Sequence, residues 1–226
     1  MKLKTEKTGA GVDGRQRKRV DQKQVLMRAQ NTEKLLKAGE RVFSIRGFDG
    51  ATTAEIAKKA GVSKSTLHYY FGTKEEIYEA VMNRILDLWV SALEEIDADV
   101  EPHVAIQNYV ARKIEYSRIY PEPTRLWAME MTGGARHFQA ELRQRVFDIV
   151  EEKCNVIDGW IAAGKMEPVN PHHLLFLLWA STQTLAEDAA QAEMVLKKSA
   201  LDKGDFEDAR QLATRIFLRG LNLNNT

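Results

Sequence analysis

The chain has little of several things that would point to particular classes of protein. Its 226 residues include one cysteine, Cys154, so an intrachain disulfide is impossible and nothing requires an oxidising compartment. The longest apolar stretch, residues 174–180, is far too short to cross a bilayer, and the polar N-terminus lacks the apolar run of a signal peptide. We therefore expect a cytoplasmic protein that does not enter a membrane.

Net charge is also almost absent, at a formal +1, but its distribution is uneven. Residues 1–28 contain nine lysines or arginines against three acidic residues. Such a basic segment suits contact with phosphates, although a solvated tail has the same composition. The two interpretations are compatible, because disordered basic arms often lie along DNA. We predict a disordered basic arm at residues 1–20.

The sequence also lacks sustained alternation of apolar and polar residues, the pattern that predicts β-strands. Apolar residues recur at three- and four-residue steps, and the five prolines fall near the ends of the periodic segments. We predict an all-α fold with a small head at residues 21–73 and a larger body at 74–226. The nine expected helices run from residue 21 or 30 to 45, then over 53–60, 64–70, 74–95, 102–120, 124–131, 136–163, 171–197 and 206–221.

Helix-boundary signals are dense between residues 52 and 76. Thr52 with Glu55, and Thr73 with Glu76, have the spacing of capping boxes, in which a hydroxyl and a carboxylate each accept a backbone N–H. Ser63 stands where a cap for the intervening helix is needed. These signals predict three helix starts within 25 residues.

The two helices between these caps have the pattern of a helix-turn-helix, with the motif at residues 52–71. Gly61 suits a left-handed turn between them, while Leu67 and Phe71, four residues apart, share a buried face. The outer face of the second helix is polar, as a helix that enters the major groove requires, whereas a buried helical hairpin would not need it. That face carries Lys64, Ser65, Thr66, His68 and Tyr69.

This motif resembles the DNA-binding signature of the TetR family of regulators. The matching groups are Gly47-Phe48, Ile56-Ala57, Ala60-Gly61-Val62-Ser63, Tyr69-Tyr70-Phe71 and Lys74-Glu75. The resemblance implies a homodimer whose heads bind double-stranded DNA at a palindromic operator and whose bodies bind a small-molecule effector. We expect a repressor that the effector releases from this operator, with an activator of the same fold as the alternative.

The resemblance also implies roles for single residues. Lys64, Ser65 and His68 occupy positions that contact base edges, and their side chains can donate or accept hydrogen bonds there. His68 departs from the tyrosine common in the family, so the operator sequence cannot be borrowed from relatives. Tyr70 has an alternative role in packing between head and body. The phosphate-contacting positions are Thr53, Thr66, Tyr69, Tyr70 and Lys74, and Ser63 is included in the same DNA-binding surface.

Motifs of the body resemble a narrower subgroup, the regulators of pyrimidine utilisation. They include Tyr120-Pro121, Met129-Glu130-Met131, Gly159-Trp160 and, above all, Trp179-Ala180-Ser181-Thr182-Gln183. This resemblance implies uracil or thymine as effector. It fades after Gln183, where residues 184–188 lack the expected aromatic residues, so a xenobiotic or another catabolite remains an alternative.

A site for a small planar molecule needs aromatic walls and a few placed polar groups. Packing in the core is the alternative role for every aromatic candidate. Arg125 and Glu130 are the charged candidates, and they need not share a helix face. The full set of predicted ligand-binding residues is Trp89, Tyr109, Tyr116, Arg125, Trp127, Glu130, Trp160, Trp179 and Gln183.

The last two predicted helices suit a subunit interface. Residues 174–180 are apolar almost all round, and the final helix carries Leu212, Ile216, Phe217 and Leu221 at helical spacing. In the family these helices form the four-helix bundle of the dimer, so we expect homodimerisation through about residues 170–197 and 206–221. A two-fold dimer matches a palindromic operator. Ligand binding in the body is expected to shift the fourth helix and change the spacing of the two heads.

Enzymes and metal sensors are the rival classes. The sequence has no glycine-rich phosphate loop, nucleophile elbow or HExxH motif, so we expect no catalysis. His172 and His173 are adjacent on a helix and cannot jointly hold one ion, and Glu151 and Cys154 have no histidine nearby in the chain. We therefore expect neither a metal site nor a cofactor.

Overall fold

The computed structural model describes the backbone of residues 11–223 and the side chains at residue 22 and residues 25–223. This range contains α-helices and no strand, which confirms the all-α prediction. Within it, no helix has both the length and the apolar content needed to cross a membrane. The ten helices are α1 (Gly11–Gly50), α2 (Thr53–Ala60), α3 (Lys64–Tyr70), α4 (Lys74–Leu93), α5 (Pro102–Ile119), α6 (Pro121–Thr132), α7 (Ala140–Ala162), α8 (Pro171–Glu187), α9 (Ala189–Leu196) and α10 (Lys203–Gly220).

The first helix is longer than predicted. Residues 11–20 belong to α1, so the predicted disorder is wrong for that part, whereas residues 1–10 lie outside the described range. Once a helix exists, adding a residue costs little, and the Arg-Gln-Arg-Lys-Arg sequence at 15–19 consists of good helix formers. Gly47 interrupts α1 as predicted, with φ 66° and ψ 179°.

Several other boundaries differ from the predictions. The predicted helix 171–197 is two helices, α8 and α9, which meet at Asp188 without a glycine or proline to signal the break. Helix α6 begins at Pro121, because a proline in the first turn lacks only an N–H that would have no partner in the helix. Helix α7 begins at Ala140 rather than at residue 136. Helix α10 begins at Lys203, where Asp202 and Asp205 form a capping box.

Two groups of buried side chains hold the fold together. The first joins α1–α4 through residues such as Phe43, Ile56 and Leu67, and it extends to Leu126 of α6. The second joins α5, α7, α8 and α10, with Tyr109 among its fully buried members. Each fully buried large apolar side chain contributes about 1.5–3 kcal/mol. Helix α4 takes part in both groups, so a movement at its C-terminal half reaches the head directly.

Helices α1 and α4 approach closely beside Gly39. A Cβ at this position would lie 3.1 Å from Val81 Cγ2 and 3.3 Å from Ile77 Cγ2. This close packing accounts for a glycine inside a helix, where it costs about 1 kcal/mol relative to alanine. Arg84 of α4 strengthens the same contact through ion pairs with Glu33, at 2.9 Å, and Glu40, at 2.8 Å.

Candidate functional site

The helix-turn-helix has the predicted caps. In each case a hydroxyl accepts the backbone N–H three residues later: Thr52 from Glu55 at 3.1 Å, Ser63 from Thr66 at 3.0 Å, and Thr73 from Glu76 at 3.1 Å. The carboxylate halves of the two capping boxes do not form as predicted, because Glu55 faces Arg46 at 3.7 Å and Glu76 accepts from the backbone N–H of Gly72 at 2.8 Å. The caps alone fix the starts of α2, α3 and α4.

Helix α3 is held by one face and exposes the other. Gly61 has the left-handed conformation expected of the turn, with φ 70° and ψ 31°. Leu67 is fully buried and Phe71 is 9% exposed, as predicted. The predicted DNA-binding residues that stand exposed together are Ser63, Lys64, Ser65, His68 and Tyr69, whereas Thr53, Thr66, Tyr70 and Lys74 are half-buried. The base-contacting candidates therefore share one exposed surface.

The ring of His68 is oriented by a contact that the sequence did not show. Its Nδ1 lies 3.0 Å from the carbonyl oxygen of Gly72. A carbonyl oxygen only accepts, so this contact requires a proton on Nδ1, and in the tautomer that has its only proton there Nε2 is an acceptor. This arrangement suits an amino group on a base edge, such as N4 of cytosine or N6 of adenine.

Lys74 has a structural task in the head. Its Nζ donates to the carbonyl oxygens of Phe48, at 2.8 Å, and Ala51, at 3.3 Å, and lies 4.3 Å from the centre of the Phe48 ring. An ammonium group has three N–H donors, so one remains for a phosphate. Tyr70 accepts a hydrogen bond from Asn31 of α1 at 3.2 Å, which ties it within the head rather than between head and body.

The body contains a cavity of about 180 Å³ between α4, α5, α6, α7 and α8. A cavity of this size suits a molecule with a single ring. Five of the predicted ligand-binding residues line this cavity: Trp89, Tyr109, Trp127, Trp179 and Gln183. These residues come from four helices and are spread over about a hundred residues of sequence. No local sequence pattern determines that they meet.

The other four ligand-binding candidates do not line this cavity. Tyr116 faces Ser91, with their oxygens 3.1 Å apart. Trp160 packs in the body core and borders a separate depression, and Arg125 is half-buried away from the cavity. Glu130 lies on the same helix as Trp127 but faces the head. None of these four residues lines the cavity, so their assignment to the ligand site stays a prediction.

Glu130 joins the body to the head. Its buried carboxylate accepts hydrogen bonds from Tyr78 Oη at 2.6 Å, from the His137 backbone N–H at 2.8 Å and from His137 Nδ1 at 3.0 Å. The His137 ring lies 4.1 Å from the ring of Phe48 at the end of α1. Burial raises the pKa of Glu130, but the hydrogen bonds from Tyr78 and His137 outweigh it and hold the pKa below its ordinary value. The carboxylate is therefore ionised at neutral pH.

Lys113 is the polar residue of this cavity that the sequence did not predict, and the other unpredicted lining residues are apolar. It is 2% exposed, its Nζ donates to Gln183 Oε1 at 2.7 Å, and it lies 3.0 Å from the centre of the Trp89 ring. Burial lowers the pKa of this ammonium group well below its ordinary value, with Glu187 acting in the opposite direction. The available signal was its helical spacing from the buried residues Ile106 and Tyr109–Val110, which places it on the inner face of α5.

The metal argument from the sequence needs one correction. Glu151 does have a histidine beside it, because His172 Nε2 lies 2.7 Å from Glu151 Oε1 across α7 and α8. Among the residues with described side chains, no group of three or more potential ligands comes together.

A helix-turn-helix head followed by a helical body with a single-ring cavity defines a class of ligand-responsive bacterial regulators. The profile of the tetR family of bacterial regulatory proteins matches residues 35–81, and the profile of the YcdC-like protein C-terminal region matches residues 82–224. The chain therefore belongs to the TetR family of DNA-binding transcriptional regulators. The two profiles meet within α4.

Individual relatives agree with this family. The HTH-type transcriptional regulator RutR of Escherichia coli strain K12 is 40% identical over 187 residues, which cover 83% of this chain and 88% of that protein. The HTH-type transcriptional repressor NicS of Pseudomonas putida is 28% identical over 144 residues, or 62% of this chain and 67% of that protein. The solved structure of AibR with isovaleryl coenzyme A and operator DNA has a TM-score of 0.60 and 17% identity, covering 81% of this chain and 96% of that one. This last likeness shows the fold.

Proposed function

We propose that this regulator is a homodimeric repressor, released from a palindromic operator when a small planar molecule enters the cavity between α4 and α8. The observation that carries the proposal is the pairing of an exposed polar face on α3 with an aromatic-walled cavity in the same chain. RutR and NicS are named as transcriptional regulator and repressor, and AibR was solved with both a ligand and operator DNA.

The DNA-binding part of the proposal rests on the exposed face of α3. Lys64 and Ser65 in its first turn and His68 one turn later are exposed. A recognition helix reads bases with its N-terminal residues, so these three side chains are proposed to contact base edges. Thr53, Ser63, Thr66, Tyr69, Tyr70 and the remaining donor of Lys74 are proposed to position phosphates.

The ligand part rests on the walls of the cavity. Three indole rings, Trp89, Trp127 and Trp179, and the Tyr109 ring provide flat apolar surfaces, while Gln183 and Lys113 provide polar groups. This is the composition expected of a site for a small planar molecule. Uracil and thymine are the first compounds to test, because the body motifs resemble regulators of pyrimidine utilisation.

The dimer part rests on apolar side chains that stand exposed on the last three helices. On α8 the apolar residues Leu177 and Ala180 are exposed, and the small side chains of Ser181 and Thr184 continue the same exposed stripe at helical spacing. Leu212 and Ile216 of α10 are 48% and 57% exposed, four residues apart. Contiguous exposed apolar surface marks an interaction site, and a second copy satisfies it with the two-fold symmetry that a palindrome requires. We propose that α8, α9 and α10 form the dimer interface.

Helices α4 and α6 provide a path from cavity to head. Trp89 of α4 and Trp127 and Met131 of α6 line the cavity. Glu130, next to Met131, holds Tyr78 of α4 and the His137 ring that lies against Phe48. A ligand that moves α6 therefore acts on α4 and on the end of α1 together, and we propose that this changes the spacing of the two heads.

The direct test is operator binding by the full-length chain. DNA selected from a random pool is expected to contain a palindrome with half-sites about one helical turn, roughly 34–36 Å, apart. Lys64→Ala should weaken binding to that site by about 1–3 kcal/mol and relax base preference at one position in each half-site. Lys165→Ala, which removes an exposed lysine in the body, serves as the control. Selection of no common sequence, or equal binding by the two variants, would contradict the proposal.

A further inference from the structure

Lys113 is a buried amine of the ligand cavity that no carboxylate among the described residues contacts directly. It is 2% exposed, and no carboxylate among the residues with described side chains lies within salt-bridge distance of its Nζ. Glu187 is reached only through Gln183, which accepts from Lys113 with Oε1 and donates from Nε2 to Glu187 at 2.6 Å. A buried ammonium group is costly unless it is paired, so this arrangement is incomplete on its own.

The other polar groups of the cavity wall are also donors. The indole Nε1 of Trp89 is buried and has no hydrogen-bond partner among the described residues. Burial raises the pKa of the fully buried Tyr109 phenol, although a hydrogen bond from the Trp179 indole acts in the opposite direction, so the phenol stays protonated and can donate. The one amide oxygen, that of Gln183, is already occupied by Lys113. The wall therefore offers a ligand mainly donors, together with the Lys113 amine, whose charged form a bound carboxylate would favour.

Resting on the proposed function of this cavity as the effector site, we propose that its effector is a planar single-ring molecule that carries a carboxylate. The carboxylate binds Lys113 Nζ, and the ring lies between the aromatic walls around Trp89 and Trp179. The cavity volume of about 180 Å³ suits one ring with one such group. A carboxylate supplies both the acceptors and the negative charge that the wall lacks, whereas a neutral pyrimidine supplies only carbonyl acceptors.

Pairs of compounds with and without a carboxylate test this inference. Orotate is compared with uracil, and benzoate with benzamide, by calorimetry and by thermal melting of the full-length protein. A specific binder raises the melting temperature through linkage. We expect the acid of each pair to bind about tenfold or more tightly than its neutral counterpart.

Lys113→Met is expected to reduce that preference to about threefold or less while leaving the neutral compounds nearly unaffected. Lys153→Met is the matched control, because Lys153 is the other buried lysine, pairs with Glu152 and lies outside the cavity. If Lys113→Met does not fold, the comparison of the pairs on the wild-type protein still decides the matter.

The possible results distinguish a failure of the carboxylate preference from a failure of the proposed regulatory function. Equal or tighter binding of uracil and benzamide overturns the inference while supporting a neutral planar effector. Absence of binding by both acids also overturns it, whatever the neutral compounds do. Operator binding without ligand, measured separately, reports on the proposed regulator itself, and its loss would remove the function but not the ligand preference.

Discussion

Replacing Glu130 by glutamine tests whether α6 carries the ligand signal to the head. The carboxylate is 6% exposed and accepts three hydrogen bonds, at 2.6, 2.8 and 3.0 Å. Hydrogen bonds to charged groups contribute about 1.5–3 kcal/mol each, but glutamine keeps one acceptor oxygen and nearly the same shape, so we expect a loss of about 1–3 kcal/mol. For a chain of this size that lowers the melting temperature by about 2–4 °C per kcal/mol.

The pH dependence of this loss has a definite sign. The folded-state pKa of Glu130 lies below its ordinary value of 4.5, so its stabilising contribution is present above that value and is lost as the pH falls through the folded-state pKa. The stability difference between wild type and Glu130→Gln should therefore shrink below about pH 4.5. Chemical denaturation of both proteins at neutral and acidic pH measures this.

The functional readout is the coupling between ligand and operator. Coupling of this kind typically changes affinity about 5–150-fold. We expect Glu130→Gln to keep the ligand affinity and the ligand-free operator affinity within about threefold, while the ligand loses most of its effect on operator binding. Glu151→Gln, which removes the carboxylate facing His172 away from the cavity, is the control. Full coupling in a destabilised Glu130→Gln protein would refute the path through α6.

Three other substitutions give separate tests. Lys74→Met removes the hydrogen bonds to the carbonyls of Phe48 and Ala51, so the melting temperature should fall by about 2–8 °C, whereas Lys64→Met should leave it unchanged within about 1 °C. If Lys74 also contacts a phosphate, Lys74→Met should reduce the magnitude of the slope of log affinity against log salt concentration by about 0.9. An unchanged slope would mean that Lys74 has only the structural role in the head. Lys113→Met should stabilise the protein by about 1–3 kcal/mol at neutral pH, because burial lowers the pKa of Lys113 from its ordinary 10.5. In the wild type the unfolded chain binds a proton at Lys113 more readily than the folded chain does, so wild-type stability rises with pH up to about 10.5. The stability advantage of Lys113→Met should therefore shrink as the pH rises towards 10.5, and an advantage that stays constant in denaturation experiments would contradict the reasoning. Ile216→Asp should yield monomers in light scattering and weaken operator binding, while Phe147→Asp, at a residue 58% exposed on α7, should remain dimeric; equal behaviour would refute the proposed interface.

The head was largely readable from the sequence because its signals are local. The hydroxyls of Thr52, Ser63 and Thr73 bind N–H groups three residues away, and Gly61 supplies a backbone conformation that depends on one residue. The burial of Leu67 follows from its position on a helix face. Such features depend on short-range geometry, so their spacing in the sequence determines them.

In the body, the sequence predicted the helices but not which of their residues line the cavity. Nine residues were predicted for the ligand site, and five of them line the cavity whereas four do not. Both sets contain tryptophan and tyrosine, so residue type does not separate them, and the direction that each helix face takes does. From the sequence alone, a lysine at position 113 is expected to be exposed to solvent, but the neighbouring helices bury it. The break between α8 and α9 at Asp188 contains no glycine or proline that would predict it.

The sequence by itself determined the family, the all-helical architecture and the helix-turn-helix, because periodicity and caps act over a few residues. The tertiary structure alone decided three things: that Lys113 stands buried in the cavity, that Glu130 joins α6 to the head, and that Lys74 binds carbonyls 26 and 23 residues earlier in the chain. Each depends on which helix faces meet, and that is settled by the packing of the whole core rather than by any single segment.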